Sequence, residues 1–569
     1  MEIHTIMKKL VPLILLLTLF QQIQAQNLEE LGDFDERKFL DIKGSLTLGS
    51  NLYFTTSEQQ RQNPFGYIVS GAPVLAVYGI PIPLSFTFAN ADFAFQGPSF
   101  EQFRRVGMSP YYKWVKVHAG YRNISFSPYT LNGHNFLGGG FEITPGKWRV
   151  GFVYGRFQSA VEEDTTAVSR LPAQYKRTGY AFKVGYGDQQ NFVELSVLKA
   201  KDDPNSIATP VQSDITPAEN LAIGLSTRVS LVKNLTWDVH LGASAYTEDL
   251  FAPELATEDR VPSMLTSLFQ PYASTRMNYA GHTSLRYSGS FYSIGVEYRR
   301  VDPEYQTMGS YFFNNDLERY SIQPSLNLFQ SRLNLSGSIG IQRDNLLDDK
   351  ASTTRRTIGS ANVQYNILPE LNLAVNYSNF ATEQQSGLVA LNDTIRVYQV
   401  THNVAVTPSY YIAGDRFYQN FVLNLSNQSL IDRNIFTSDF TESQTNSINF
   451  NYSLRDNIVN YGINFGLNYL TLNSMMNDIV RYGFSTGVEK SLWEEKMTVS
   501  LNGLYNLSSL NGNDDGYVTN GTLNINYTPH PRHAFSLRGQ AIFNRTGPDE
   551  ASELRYEDYI INVNYNFTL

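Results

Sequence analysis

The sequence predicts an all-β fold: a single large transmembrane antiparallel β-barrel of about 22–26 strands, with short turns at one rim and long loops at the other. Three observations point there. Apolar and polar residues alternate with a period of two along most of the chain. Short and long connections alternate between the strand-like segments. The chain opens on an export signal, and no later stretch reaches the ~18–20 apolar residues of a membrane-spanning helix.

In chain order the signal comes first. Lys8 and Lys9 form a basic start, residues 10–20 form an apolar run too short to span as a helix, and Ile23-Gln24-Ala25 fits a small-residue cleavage site. Residues 1–25 are expected to be removed after Ala25. Residues 26–40 are expected to form a short periplasmic segment, and residues 41–569 the barrel.

Composition fits an exported barrel. The 569 residues contain no cysteine, which removes disulfides, thiol chemistry and lipid anchoring through cysteine. Charged residues make up 17% and aromatics 13%, and the net charge of −9 is too mild to suggest nucleic acid as a partner. The mean hydropathy of −0.28 excludes a bundle of membrane helices. A barrel tolerates it, because half its strand residues face water.

The strands are plainest in the C-terminal half. Leu371, Leu373, Val375 and Tyr377 interleave with Asn372, Ala374 and Asn376. Ile463, Phe465, Leu467 and Tyr469 interleave with Asn464, Gly466 and Asn468, and Leu523, Ile525 and Tyr527 with Asn524 and Asn526. Side chains of a strand point alternately to its two faces, so each segment has one apolar and one polar side. Residues 66–113 alternate poorly, and Pro81 with Pro83 is expected to mark a turn.

A soluble sandwich alternates too; the connections decide between the two. Short ones fall near 144–146, 187–189, 232–234, 288–290, 330–331, 368–369, 414–415, 455–456, 492–493 and 530–531. Longer polar ones lie between them, the longest being 247–277. Short periplasmic turns and long extracellular loops are the pattern of membrane barrels. Trp114, Trp148, Trp237 and Trp493 all sit at or near short turns. Tryptophan favours the membrane interface, so these four are expected to form a girdle on the periplasmic rim.

The last strand carries Ile561, Val563, Tyr565, Phe567 and Leu569 on one face and Asn562, Asn564 and Asn566 on the other. It resembles the terminal signal of Gram-negative outer-membrane β-barrel proteins, an amphipathic strand ending in an aromatic residue, although here the final residue is Leu and Phe567 lies two earlier. The resemblance is to that class in general. It implies a multi-pass protein of the outer membrane, in contact with its lipid and handled by the barrel assembly machinery during biogenesis.

With apolar residues toward lipid, the other set lines the lumen. In the N-terminal half that set forms a basic wall: Lys116, Arg122, Arg149, Arg177, Lys183, Arg228, Arg286 and Arg299. Glu194, Asp238, Glu297, His118 and His240 share the same face, and the carboxylates are natural partners for the arginines. In the C-terminal half the inward positions are mostly Asn, Ser and Gly, with Arg319, Arg481 and Arg538 scattered among them. The expected function is a transport conduit for polar or anionic solutes or glycans, because fixed positive charge concentrates anions. The alternative is a non-transporting subunit of an outer-membrane assembly, secretion or surface-anchoring complex.

No catalytic set, metal site or cofactor motif is expected. His118 and His240 lack a second ligand at useful spacing, and His402 lies among Val400, Val404 and Val406 on the apolar face. Asn511, Asn513 and Asp515-Gly516 begin like a calcium loop, but Thr522 stands where a bidentate Glu is needed. A barrel this wide would leak if empty. Its lumen is therefore expected to be closed by inward-folded loops, by a flattened cross-section or by a partner protein. Loop 247–277, long and acidic, is the first internal candidate, with a short helix over 262–270.

Overall fold

The computed structural model describes residues 38–57, 61–89, 104–163, 173–208, 215–255, 262, 267–311, 314–350, 352–386, 397–547 and 554–569. All 29 strand segments belong to one antiparallel system. Twenty-six of them close into a ring. Closure is made by the first long strand, Ser45–Thr55, pairing with the last, Leu554–Thr568, from Ser45↔Thr568 to Thr55↔Asp558. Every other wall strand pairs with its neighbours in sequence, so the topology is a simple up-and-down meander.

Three short segments stand apart. Leu40–Lys43 pairs with Val74–Val77, which pairs with residues 80–83, and this small sheet continues the wall on the side of the chain ends. Tyr111–Tyr112 folds back on Val115 and Lys116. The turn expected at Pro81 and Pro83 is instead at Tyr78-Gly79, both at positive φ. The two prolines sit within the strand Ile80–Ala89, opposite Ala76 and Val74. The missing N–H groups face away from that ladder, the placement a strand tolerates.

One register runs around the whole ring. Following partners from strand to strand, Gly140 meets Val153, Val153 meets Ala181, Ala181 meets Leu198, and Leu198 meets Ala222. The same face continues through Asn362↔Asn376, Asn468↔Gly483 and Asn51↔Asn562. Residues of the opposite parity, such as Tyr154, Phe182, Leu241, Ile339, Leu467 and Val563, are apolar and exposed. A closed wall satisfies its backbone groups laterally and presents this apolar face outward, as a membrane requires.

Connections on the rim that carries the chain ends are short throughout, for example 144–147, 188–191, 233–234, 289–291 and 531–532. On the other rim most are long in the N-terminal half, such as 159–175, 204–218 and 248–274, with 126–131 a shorter exception. In the C-terminal half two of them shrink to 475–477 and 511–512, while the strands lengthen to as many as 18 residues in Asn513–His530. About 9–11 residues suffice to cross the bilayer, so these strands project beyond it.

Two loops fold into the ring. The short connection 126–131 places Phe126 and Leu131 in a core with Ile124, Phe136, Val153, Phe157, Ala181, Leu198 and Ala222. The connection 302–316 brings Tyr305 against Tyr129, Ala280, Val301 and Leu317. A few loop residues that touch the same face of so many consecutive strands must lie on the concave side, which fixes the inside. Gly151 and Gly242 make room: a Cβ on Gly151 would lie 2.9 Å from the Phe126 ring, and one on Gly242 2.4 Å from Tyr129 Cβ. The loops also clasp each other. The Tyr305 hydroxyl donates to Tyr129 O (2.7 Å), the Thr307 hydroxyl to Thr130 O (2.9 Å), and the Asn132 N–H to Gly309 O (2.8 Å). Burying Phe126, Tyr129, Leu131 and Tyr305 stabilises this arrangement by roughly 1.5–3 kcal/mol per side chain.

The described residues of the connection 248–274 take the other side of the wall. Phe269 is 1% exposed and packs on Leu221, Ala245 and Val197, all on the outer face of the wall. Lys199 donates to Leu268 O (2.5 Å), and Lys199 and Lys201 both pair with Glu219 on that outer face. Among the described residues the loop therefore covers the outside near the long-loop rim rather than filling the lumen. The core of the expected helix over 262–270, including Met264 and Leu265, lies outside the described residues.

Candidate functional site: the barrel lumen

The inner face of the N-terminal half is a network of compensated charge. Arg149 meets Glu194 at 2.9 Å, Arg177 makes a two-point bond to Asp202 (2.8 and 3.0 Å), and Arg228 meets Asp238 at 2.5 Å. Lys116 stands opposite Glu142, Lys183 opposite Gly151, and the Lys183 ammonium lies 5.1 Å from the Phe126 ring centre. His118 bonds Ser109 (2.8 Å) and Glu142 (3.1 Å). Arg122 donates to Ser85 Oγ (2.8 Å) and Met108 O (3.2 Å). Each carboxylate keeps a cation in register across the wall and makes the wall stiff as well as polar.

One transverse row is different. Strand partners in succession are His240, His282, Arg299, Arg319, Gln342 and Arg356. Neighbouring strands are about 4.8 Å apart, so three guanidinium groups fall within about 15 Å of wall. Glu297 accepts from Arg319 (2.7 Å). Arg299 lies within hydrogen-bonding reach of the Tyr129 hydroxyl at the tip of the inward loop, and Arg356 lies over the Phe380 ring at 5.5 Å. The Nε atoms of all three arginines are buried without an acceptor. Arg299 was expected on the inner wall from its alternation and Arg319 as a scattered inward cation. Arg356 was not expected: residues 352–357 are all polar, so the alternation gives no face to Arg355 or Arg356.

Arg286 lies two rows nearer the short-turn rim. It donates to Gln323 Oε1 (3.1 Å), and among the described residues no carboxylate pairs with it. Beside it opens a cavity of about 810 Å³ whose far wall is amide and hydroxyl. The C-terminal inner face binds itself together laterally: Asn468 to Asn506 (2.9 Å), Asn464 to Asn502 (3.2 Å), Asn424 to Thr407 (2.9 Å) and Ser426 to Ser447 (2.6 Å). An amide has two donors and two acceptor positions, so each such bond leaves capacity turned to the lumen.

The four tryptophans are at the short-turn rim. Trp148 and Trp237 have the outward parity, and the Trp237 indole N–H donates to Thr283 Oγ1 (2.8 Å). Trp114 and Trp493 lie in the turns themselves, and all four are exposed. His402 also has the outward parity and contacts Tyr377 (3.1 Å) and Asn379 (2.9 Å). Asn511 and Gly512, both at positive φ, form a two-residue turn. Among the described residues no group of three His, Cys, Asp or Glu side chains is placed to hold a metal ion.

Above the lumen, Asp316 and Lys350 tie two long-rim loops together. Burial alone would raise the Asp316 carboxyl. The Lys350 ammonium and the backbone N–H groups of Leu346 and Asn345 outweigh it and hold it below the ordinary range. The same contact raises Lys350.

A closed ring of 26 antiparallel strands, apolar outside and polar within, has the architecture of a multi-pass transmembrane β-barrel. No family model matches the sequence, and no curated protein matches it. Solved barrels are similar only in outline. The P pilus usher (PapC) translocation pore is 10% identical over 93% of this chain and 99% of its own, with a TM-score of 0.37. The ferric preacinetobactin receptor BauA of Acinetobacter baumannii is 10% identical over 93% and 81%, with a TM-score of 0.36. OccK9 (OpdG) of Pseudomonas aeruginosa is 11% identical over 68% and 98%, with a TM-score of 0.30. At such scores the class of this protein rests on its own geometry.

Proposed function

We propose that the barrel is an outer-membrane conduit for polar solutes, reached after cleavage of the signal near Ala25 and insertion by the barrel assembly machinery. Anionic solutes are favoured by the arginine rows, and hydroxylated solutes such as glycans by the amide wall. One observation carries this reading. The inward loops 126–131 and 302–316 pack on the strands of the N-terminal half, while the amide face of the C-terminal half borders an 810 Å³ cavity. The lumen is narrowed to one side, which reconciles a wide ring with a selective passage. Excess guanidinium charge in a confined, polar space raises the local anion concentration.

Planar-bilayer recording of the refolded barrel tests the proposal. The expected result is a steady conductance with a reversal potential shifted toward anions. A silent bilayer from heat-modifiable, folded protein contradicts it.

A second reading, a subunit of an outer-membrane assembly, has its own support at the long-loop rim. Ile435 (80% exposed), Phe436 and Phe440 stand out from the connection 433–442, and Met475 and Met476 (74% exposed) from the tip 475–477. Large apolar groups gathered on water-facing loops mark interaction surfaces. A silent barrel that retains a stoichiometric partner in mild detergent, and loses it on Phe436→Ser with Met476→Ser, would favour this reading.

A further inference from the structure

The row that carries Arg299 and Arg319 begins with two histidines placed under the tip of an inward loop. His240 and His282 are direct partners on adjacent strands, Leu235–Thr247 and Thr275–Ser288. Their rings stack with centroids 4.7 Å apart and planes 25° apart. His240 Nδ1 meets Ser226 Oγ at 2.9 Å, and His282 Nδ1 meets the Tyr129 hydroxyl at 3.3 Å. Tyr305 of the connection 302–316 rests against Tyr129, with ring centroids 6.0 Å apart. One row nearer the long-loop rim lie Gly242, Ala280 and Val301, which seat Tyr129 and Tyr305. Both histidine rings are half-buried, so water in the lumen reaches them.

The charged groups that face the pair are already matched. Arg149 holds Glu194, Arg228 holds Asp238, Arg319 holds Glu297, and Arg286 donates to Gln323. Arg299 is the next residue in the row and faces the Tyr129 hydroxyl, and among the described residues no carboxylate pairs with it. Among the described residues, then, no free carboxylate stands ready to balance a charge that appears on either ring. Two neutral imidazoles stack at little cost, whereas like charges directly opposite each other on neighbouring strands repel. The Tyr129 hydroxyl can donate to His282 Nδ1 only while that nitrogen carries no proton. Once the ring is protonated, the hydroxyl hydrogen has lost this acceptor and Arg299 adds a further cation beside it. The Ser226 hydroxyl rotates and suits either state of His240.

We propose that His240 and His282 form a proton-operated latch on the inward loops. With both rings neutral, Tyr129 and Tyr305 are docked. In mildly acidic water, where histidine gains its charge, the pair splits, Tyr129 and Tyr305 lift from the wall, and the passage widens. Phe126 and Leu131 stay seated, because the core they share with Ile124, Phe136, Val153 and Leu198 contains no titratable group. The widening rests on the conduit reading; the release of the loops does not.

Two measurements on the full-length barrel between about pH 7.5 and about pH 5 test the latch. The first is single-channel conductance. The account predicts a reversible, several-fold rise on acidification, absent when His240→Gln and His282→Gln are combined. The second is the mobility of a spin label on Gln306→Cys, in a chain that has no cysteine of its own. The label should be held at the higher pH and freed at the lower, and should stay held throughout in the double glutamine barrel. Should that barrel not fold, His282→Phe keeps a ring on the wall and takes no proton, and the same loss of response is expected. A label held at both pH values, or one freed equally with and without the two histidines, would overturn the latch. A freed label in a barrel that conducts equally at both pH values would overturn the widening. A freed label in a barrel silent at both would overturn the conduit and leave the latch standing.

Discussion

The two halves of the ring share one register and differ in what stands on its inner face. From Ser45 to Leu328 the face carries glycines, arginine–carboxylate pairs and the seats of two inward loops. From Leu333 to Thr568 it carries amides and hydroxyls bonded to each other across strands, under short tips and long strands. The first half spends its lumen on internal packing. Among the described residues the second satisfies its polar groups laterally, and on the proposed reading its side of the lumen is the one solutes would use. On the proposed reading, the inward loops and the glycine-lined wall beneath them narrow the lumen from one side.

The largest expected effect is on the packed side. Leu131 is fully buried among loop and wall residues, so Leu131→Ala should destabilise the barrel by about 3–4 kcal/mol. Leu504, inward in the open half and only half-buried, should lose less than about 1 kcal/mol on the same change. Denaturant unfolding in detergent compares the two, and equal losses would erase the distinction between the halves.

The shared register is tested next. Val563 faces outward and Asn564 inward. Val563→Arg should cost about 3 kcal/mol of folding in lipid and Asn564→Arg little. Equal folded yields, read from gel mobility before and after boiling, would show that the wall is misfaced.

Charge pairing gives a smaller contrast. Glu194→Gln strips Arg149 of its carboxylate, and with Arg149 partly open to water the loss should be about 2 kcal/mol. Asn506→Ala in the amide wall removes one neutral hydrogen bond, worth about 1 kcal/mol.

The smallest effect is on pH. Asp316 is lowered from its ordinary 3.8 and Lys350 raised from 10.5. Their joint contribution is complete between those values. It fades as pH falls through the lowered carboxyl value and as pH rises through the raised ammonium value. Protease protection of the 344–351 loop should follow that window, and Asp316→Asn should flatten it.

Much of the wall was legible because lipid outside and water inside impose opposite chemistry on alternate residues. The strands around Ile463 and Leu523 announce themselves for that reason. The region around Pro81 and Pro83 did not, because a strand that leaves the ring for a small edge sheet escapes the alternation. The direction of the loops was the main failure. Loop 247–277 was expected inside for its length and acidity, but among its described residues Phe269 meets an apolar outer face, and Glu219 already holds Lys199 and Lys201 there. The better signal was compositional: Phe126, Tyr129 and Leu131 in one short loop, facing strands with Gly138, Gly140, Gly151 and Gly155 on their inner side. Arg356 stayed hidden because its neighbours are polar on both faces.

The central claim is that loops 126–131 and 302–316, and not loop 248–274, occlude the lumen. Single-channel conductance of two folded variants tests it directly, one with residues 303–311 replaced by Gly-Gly and one lacking residues 252–274. The account predicts a several-fold rise in the first and no change in the second. No change in the first together with a rise in the second would contradict it.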